Sequence, residues 1–236
     1  MTRGAADILV SLLATALAAG LVWSAVHLPA APGLAGLVER NLEASGVESA
    51  VTAVLLNFRA YDTLLEIGVL LLAVIGALSL HPGEELSPAA TEALSSGPEP
   101  SPMLMWFVPY MVPVAFVIAG YLWWAGSTIP GGAFQGGTVL GAALVLLLLS
   151  GRKFSIRPEA VATRLWLSGG LLFFLAAGAV PMVTGDAVLQ WSEEWSGITI
   201  VLIEAGLTLS IGGCLAALVV GVPAHPPERA LRGRRP

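Results

Sequence analysis

Two carboxylates stand in stretches otherwise suited to lipid. Glu66 belongs to the run AVLLNFRAYDTLLEIGVLLLAVIGAL and Glu204 to GITIVLIEAGLTLS. An ionised side chain at the centre of a membrane helix costs at least about 2.5–3.5 kcal/mol on insertion scales, so such residues face protein or water and mark ion routes. A carboxyl group there can hold a proton or ligate a cation, and that is the chemistry these residues offer. Arg59, Asp62 and Glu66 are spaced three and four apart, which puts all three on one face of a continuous helix. The rise from Arg59 to Glu66 is about 10 Å. Asp62 can therefore pair with Arg59 while Glu66 stands further in, without a second cation to answer it. The Arg59–Asp62 pair reads either as a static ion pair that docks the helix or as the start of a polar path; Glu66 reads as a path residue. Glu204 has Thr208 four residues on, on the same face and able to hydrogen-bond it. It reads either as a protonated carboxyl bonded to a neighbouring helix or as a second path residue.

The third feature is the glycine-rich stretch PGGAFQGG, comprising Pro130, Gly131, Gly132, Phe134, Gln135, Gly136 and Gly137 around Ala133. Glycines at this density permit close backbone approach, and irregular backbone near a bilayer is tolerated only in water or under protein cover. The stretch is either a packing element against a helix or subunit, or a cradle in which backbone dipoles and Gln135 contact an ion. No catalytic constellation accompanies these residues. His27, His81 and His225 are far apart and lack metal-ligand spacing, and Cys214 is the single cysteine. A lone cysteine excludes an intramolecular disulfide and a cysteine-held iron–sulfur cluster. Neither a GxGxxG nor a P-loop is present. The expectation is a chain with no catalytic residue, no metal site and no cofactor.

The elements that position these groups follow from hydropathy. Of the 236 residues 56% are hydrophobic and 11% charged, far below the quarter or so charged in soluble domains, so the class is membrane protein. A net charge of −5 argues against a nucleic-acid partner. Windows of spanning length give an all-α fold of about six transmembrane helices, at 7–26, 51–80, 103–125, 137–151, 160–183 and 197–222. The first exceeds a signal-peptide core in length and reads as a retained span. The fourth is short, so part of the glycine stretch belongs to it or dips into the protein. Pro109 and Pro113 would kink the third span.

Eight of the 11 basic residues fall on one side of this arrangement: Arg152, Lys153, Arg157, Arg164, Arg229, Arg232, Arg234 and Arg235. That places both termini in the cytoplasm, with Trp23, Tyr121, Trp123, Trp124, Trp191 and Trp195 at the opposite interface. The stretch 81–102 has five prolines, four glutamates and no Lys or Arg, the composition of a flexible tether. It separates a two-helix unit, 1–80, from a four-helix unit, 103–222, which a basic tail, 223–236, follows. Leu34, Leu37, Val38 and Leu42 suggest a short amphipathic helix on the outer interface within 29–49.

The glycine stretch and the Glu204 run together resemble the MnhB/MrpB subunit of multisubunit Mrp-type cation/proton antiporters, whose loop reads GHxxPGGGFQGG. Gly126, Pro130, Gly131, Gly132, Phe134, Gln135, Gly136 and Gly137 match; Ser127 stands for the His and Ala133 for the third Gly. The run IVLIEAGLTLS, 200–210, is similar to that family's last helix. The 51–80 run is similar to the C-terminal segment of the large MrpA subunit, equivalent to the MbhE subunit of membrane-bound hydrogenases, which favours DFRGFDTLGE. Phe58, Arg59, Asp62, Thr63, Leu64 and Glu66 match, and Asn57 replaces an acid. The resemblance implies an accessory subunit of the bacterial inner membrane, working with other Mrp-type membrane subunits, large antiporter-like ones among them, in exchange of Na⁺ or another monovalent cation for H⁺. A subunit of a membrane-bound hydrogenase or related respiratory complex, and a purely structural scaffold, are the alternatives.

Overall fold

The computed structural model describes residues 3–27, 33–79, 102–150, 160–192 and 194–220. The tether apart from Pro102, the basic positions 152, 153 and 157, and the tail 223–236 lie outside these. The described residues form helices and no strand, and the chain is an all-α, polytopic membrane protein. Contacts divide it into two units, Met1–Leu37 and Val38–Pro236.

The first unit is essentially helix α1, Arg3–Val26. Leu12, Leu13, Leu17 and Leu21 are all exposed on it, and the Trp23 ring stacks on His27 at 3.9 Å between centroids.

Helix α2 (Ala35–Asn41) spans the division between the units and leads into a 3₁₀ turn (Glu43–Ser45) of the second. The expected amphipathic helix is thus only seven residues long. Its Leu37 is exposed while Leu42, just beyond it, packs on the core. The expected span 51–80 is not one helix. Short α3 (Ala50–Ala53) runs into a π-turn (Val54–Phe58), Arg59 leaves helical geometry at φ −130°, and α4 begins at Ala60 and ends at Ser79. The break is held by side chains. The Thr63 hydroxyl donates to the Leu55 carbonyl at 2.6 Å, and the Trp191 indole N–H donates to the Leu56 carbonyl at 2.7 Å. Carbonyls freed from the helical ladder are satisfied from elsewhere, as a membrane setting demands.

Helix α5 (Pro102–Ala125) continues through Pro109 and Pro113. The glycine stretch follows, then α6 (Ala133–Leu149), α7 (Val161–Ala179), the short α8 (Pro181–Thr184) and α9 (Ser196–Val220). Among the described residues four segments are long and apolar enough to cross a membrane, α4, α5, Val161–Val183 and α9. Ser11–Val26 and Ala133–Leu149 are shorter apolar helices.

Helix α9 is the axis of this unit. In its most apolar window 56% of residues are buried, against 11–22% in the other three long segments. Ile200, Ile203, Leu207 and Ile211 of α9 share one buried cluster with Leu56, Ile67 and Phe174. Cys214, Ala216 and Ala217 join a second with Val74, Leu140 and Leu167. Lipid is as apolar as leucine, so membrane helices associate through close fit rather than water exclusion, and small residues permit that fit. On α6, a Cβ at Gly137 would lie 2.8 Å from Ile211, and one at Gly136 would lie 2.9 Å from the Ala119 carbonyl oxygen.

Candidate functional site

Helix α6 begins where the glycine stretch meets α9. A helix start leaves backbone N–H groups without partners, and Gly132 at the N-cap has no side chain to offer. The acceptor comes from another helix: the Ala133 backbone N–H bonds the Glu204 carboxylate. Gly132 adopts φ +112°, ψ −168°, a region open essentially to glycine alone. A Cβ there would lie 2.6 Å from Glu204 Oε1 and 3.8 Å from Gln135 Oε1. Gly132 N–H donates to the Leu122 carbonyl at 2.9 Å, which ties the same turn to α5.

Glu204 is 3% exposed, and its Oε2 is buried without a hydrogen-bond partner among the described residues. Leaving a buried polar atom unmet costs about 1–3 kcal/mol, so this carboxyl has one oxygen engaged by the start of α6 and one available to a proton or cation. The residues around it are polar at measured intervals. One turn before Glu204, the Trp123 indole N–H donates to the Val201 carbonyl at 3.0 Å. One turn after, the Thr208 hydroxyl donates to the backbone carbonyl of Glu204 at 2.7 Å. Thr208 therefore does not hold the carboxyl group, contrary to its reading from the sequence. What lies against that group is the glycine stretch, 72 positions away in sequence at Gly132.

Other members of the stretch have distinct placements. Gly131 and Gly136 are buried against α5, Gly137 against α9, and Phe134 packs on the first core cluster. Pro130 and Gln135 are exposed, and Gln135 Oε1 lies 3.8 Å from where a Cβ on residue 132 would stand.

The upstream loop is fastened to the N-terminal half of the same unit. The Ser127 carbonyl accepts from the backbone N–H groups of Glu48 and Ser49 at 2.9 and 3.0 Å, and the Thr52 hydroxyl donates to the Gly126 carbonyl. Sequence reading did not single out Glu48, Ser49 or Thr52. Their one local signal is Ser49 as the N-cap of α3, accepting from Thr52 N–H at 3.4 Å.

The charged triplet is placed differently from the expectation of one helical face. Arg59 precedes α4 at the break, and its guanidinium pairs with Asp62 in the first turn. Both are more than half exposed. Glu66 lies six residues, about 9 Å, into α4 and is exposed, while its neighbour Ile67 is buried against α9. The triplet thus faces outward from this chain, whereas Glu204 faces inward. Among the described residues no three His, Cys, Asp or Glu side chains gather as a metal-binding group.

The chain is 23% identical to a Rhizobium meliloti protein named as the probable A/B subunit of a K⁺/H⁺ antiporter, over 83% of this chain and 22% of that protein, so it spans about a fifth of that relative's length. Among solved structures it is similar to a chain of the Mrp complex from Dietzia sp. DQ12-45-1b, with a TM-score of 0.63 and 19% identity over 95% of this chain and 27% of the other. It is also similar to a chain of the membrane-bound sulfane sulfur reductase, an archaeal respiratory membrane complex, with a TM-score of 0.68 and 22% identity over 91% of this chain and 97% of that one. At those identities the two structures show a shared fold. The family described as a domain related to the MnhB subunit of Na⁺/H⁺ antiporter matches residues 103–224, which hold α5, the glycine stretch, α6 and Glu204, and the chain belongs to that family.

Proposed function

We propose that this chain is an accessory membrane subunit of a multisubunit monovalent cation/proton antiporter complex, acting beside large antiporter-like subunits. The observation that carries the reading is the Glu204 carboxyl, seated on the family's glycine stretch with Oε2 buried and unpartnered among the described residues. A carboxyl so placed can take up and release a proton or a cation while its other oxygen stays bonded to Ala133. Glu66, Asp62 and Arg59 supply a second polar group on the outward face, suited to an ion path completed by a neighbouring subunit. Residues 1–80 act as a MbhE-like, MrpA C-terminal-like module joined to the MnhB-like part. The Rhizobium meliloti relative, whose name joins A and B and which aligns with 83% of this chain, supports that fusion. The complex lies in the bacterial inner membrane with both termini of this chain cytoplasmic, a reading supported by the arginine distribution. This chain has one lysine, Lys153, between apolar segments of its sequence, so the lysine-bearing proton pumping is assigned to the other subunits and this chain to a transporter's accessory role.

The test is Na⁺- or K⁺-dependent proton flux in vesicles holding the whole complex, with and without this chain. Flux should fall sharply without it. Undiminished flux from a complex assembled without it would remove the reading, as would appreciable flux from the purified chain alone in liposomes. Cysteines placed in 81–102 should resist an impermeant external reagent if the orientation holds.

A second reading is favoured by one observation. The likeness to the respiratory complex covers nearly the whole of that chain, so the subunit could serve beside a redox arm. Co-purification of redox-centre subunits with this chain would select it.

A further inference from the structure

Glu204 meets the start of α6 with one oxygen and buries the other. Its carboxylate accepts the Ala133 backbone N–H, and Oε1 lies beside Gly132. Oε2 is enclosed without a hydrogen-bond partner among the described residues, in a residue only 3% exposed. An alkali cation gives up its hydration shell only where several oxygens together replace it. The nearby oxygens are committed elsewhere. The Leu122 carbonyl accepts from Gly132 N–H, the Val201 carbonyl from the Trp123 indole, and the Glu204 carbonyl from the Thr208 hydroxyl. Gln135, whose Oε1 lies near the same turn, is an exposed residue. Ile200, Ile203 and Leu207, fully buried, flank Glu204 along α9.

The charge around the carboxyl points the same way. The N-terminus of the 17-residue α6 faces it, and a helix N-terminus favours an anion over a cation. Helix α6 carries no ionisable side chain, and on α9 the next is Cys214, ten positions on. On the other helices packed here, Tyr110 and Tyr121 of α5, Tyr61, Asp62 and Glu66 of α4, and Arg164 of α7 are all exposed. We propose that Glu204 is a proton site closed to Na⁺ and K⁺. The assignment rests on the reading of Glu204 as an exchanging group and names what it exchanges. With H⁺ on Oε2 the carboxyl is neutral and needs no further oxygen. Release of H⁺ leaves a carboxylate whose charge falls to Ala133 N–H and the positive end of α6, and return of H⁺ to Oε2 restores the start. The cation half of the exchange belongs to other groups.

The test uses the full chain purified in detergent, its carboxyl groups followed by infrared difference spectroscopy through a pH titration. The buffer cation is choline, Na⁺ or K⁺. A protonated-carboxyl C=O band, assigned by its loss in Glu204→Gln, should vanish as pH rises with the same midpoint in all three buffers. A cation competing for the carboxylate would instead lower that midpoint by about one pH unit for each tenfold rise in its concentration. Melting curves establish that the variant folds; if it does not, Glu204→Asp keeps an acid and assigns the band by displacing it. A midpoint that falls with Na⁺ or K⁺ would overturn the proposal. So would a band that never vanishes, or no such band at any pH. The measurement is made on the chain alone, so its failure is separate from that of the accessory-subunit reading, which flux through the whole complex decides.

Discussion

Oε1 of Glu204 lies 2.6 Å from where a Cβ on residue 132 would project, so the carboxyl of one helix occupies the side-chain space of the residue that opens another. Gly132 and Glu204 are therefore one device. The glycine makes room for the acid, and the acid supplies the acceptor that the glycine cannot, through its bond to Ala133 N–H. Replacing either should be felt at the other.

Gly132→Ala should destabilise the chain by about 1–3 kcal/mol, the cost of forcing a side chain into a glycine-only backbone region, with the Glu204 contact added. The melting temperature of the purified chain reports it. Combined with Glu204→Ala the loss should be smaller than the sum of the two single losses, because the Cβ then meets space; strictly additive losses would show that the backbone conformation is the whole cost of Gly132→Ala.

Glu204→Gln and Glu204→Leu should separate ionisation from packing. Gln keeps an acceptor for Ala133 N–H, so the complex should assemble and ion exchange should fall. Leu leaves that N–H buried and unmet, at about 1–3 kcal/mol, and should lower recovery of folded chain. Gln complexes that exchange ions at the parental rate across pH 7–9 would make Glu204 a structural acceptor only.

Gly136→Leu should prevent assembly. Its Cβ would stand 2.9 Å from the Ala119 carbonyl oxygen and 3.2 Å from the Thr208 methyl, and overpacking of this kind costs about 1–3 kcal/mol. Gel filtration of the complex is the readout. Normal assembly with altered cation affinity would favour the ion-cradle reading of the stretch.

Glu66→Gln should leave the melting temperature of the isolated chain unchanged, because Glu66 is exposed on α4. In the whole complex it should reduce cation-dependent proton flux more than Glu204→Gln does, since Arg59 and Asp62 extend a polar group beside it. A normal flux would leave the triplet as a docking feature for a neighbouring subunit.

Hydropathy alone was enough to read the all-α class and the apolar segments, because a bilayer forces each span to satisfy its own backbone, and that demand is written locally as runs of apolar residues. The glycine stretch and both carboxylates stood out in the same way, as residue types out of keeping with their surroundings. Three relationships did not. The break before α4 is held by Trp191, 135 positions beyond Leu56, and without that partner residues 51–80 read as one uninterrupted helix. The outward direction of Glu66 depends on which neighbours Ile67 meets. The seating of Glu204 on Gly132 joins two segments whose separation carries no periodicity. Short-range pattern encodes what each stretch does with its own hydrogen bonds; which stretches meet is decided by the packing of α9 among α4, α5, α6 and α7, where fit between small and large side chains takes the place of any local signal.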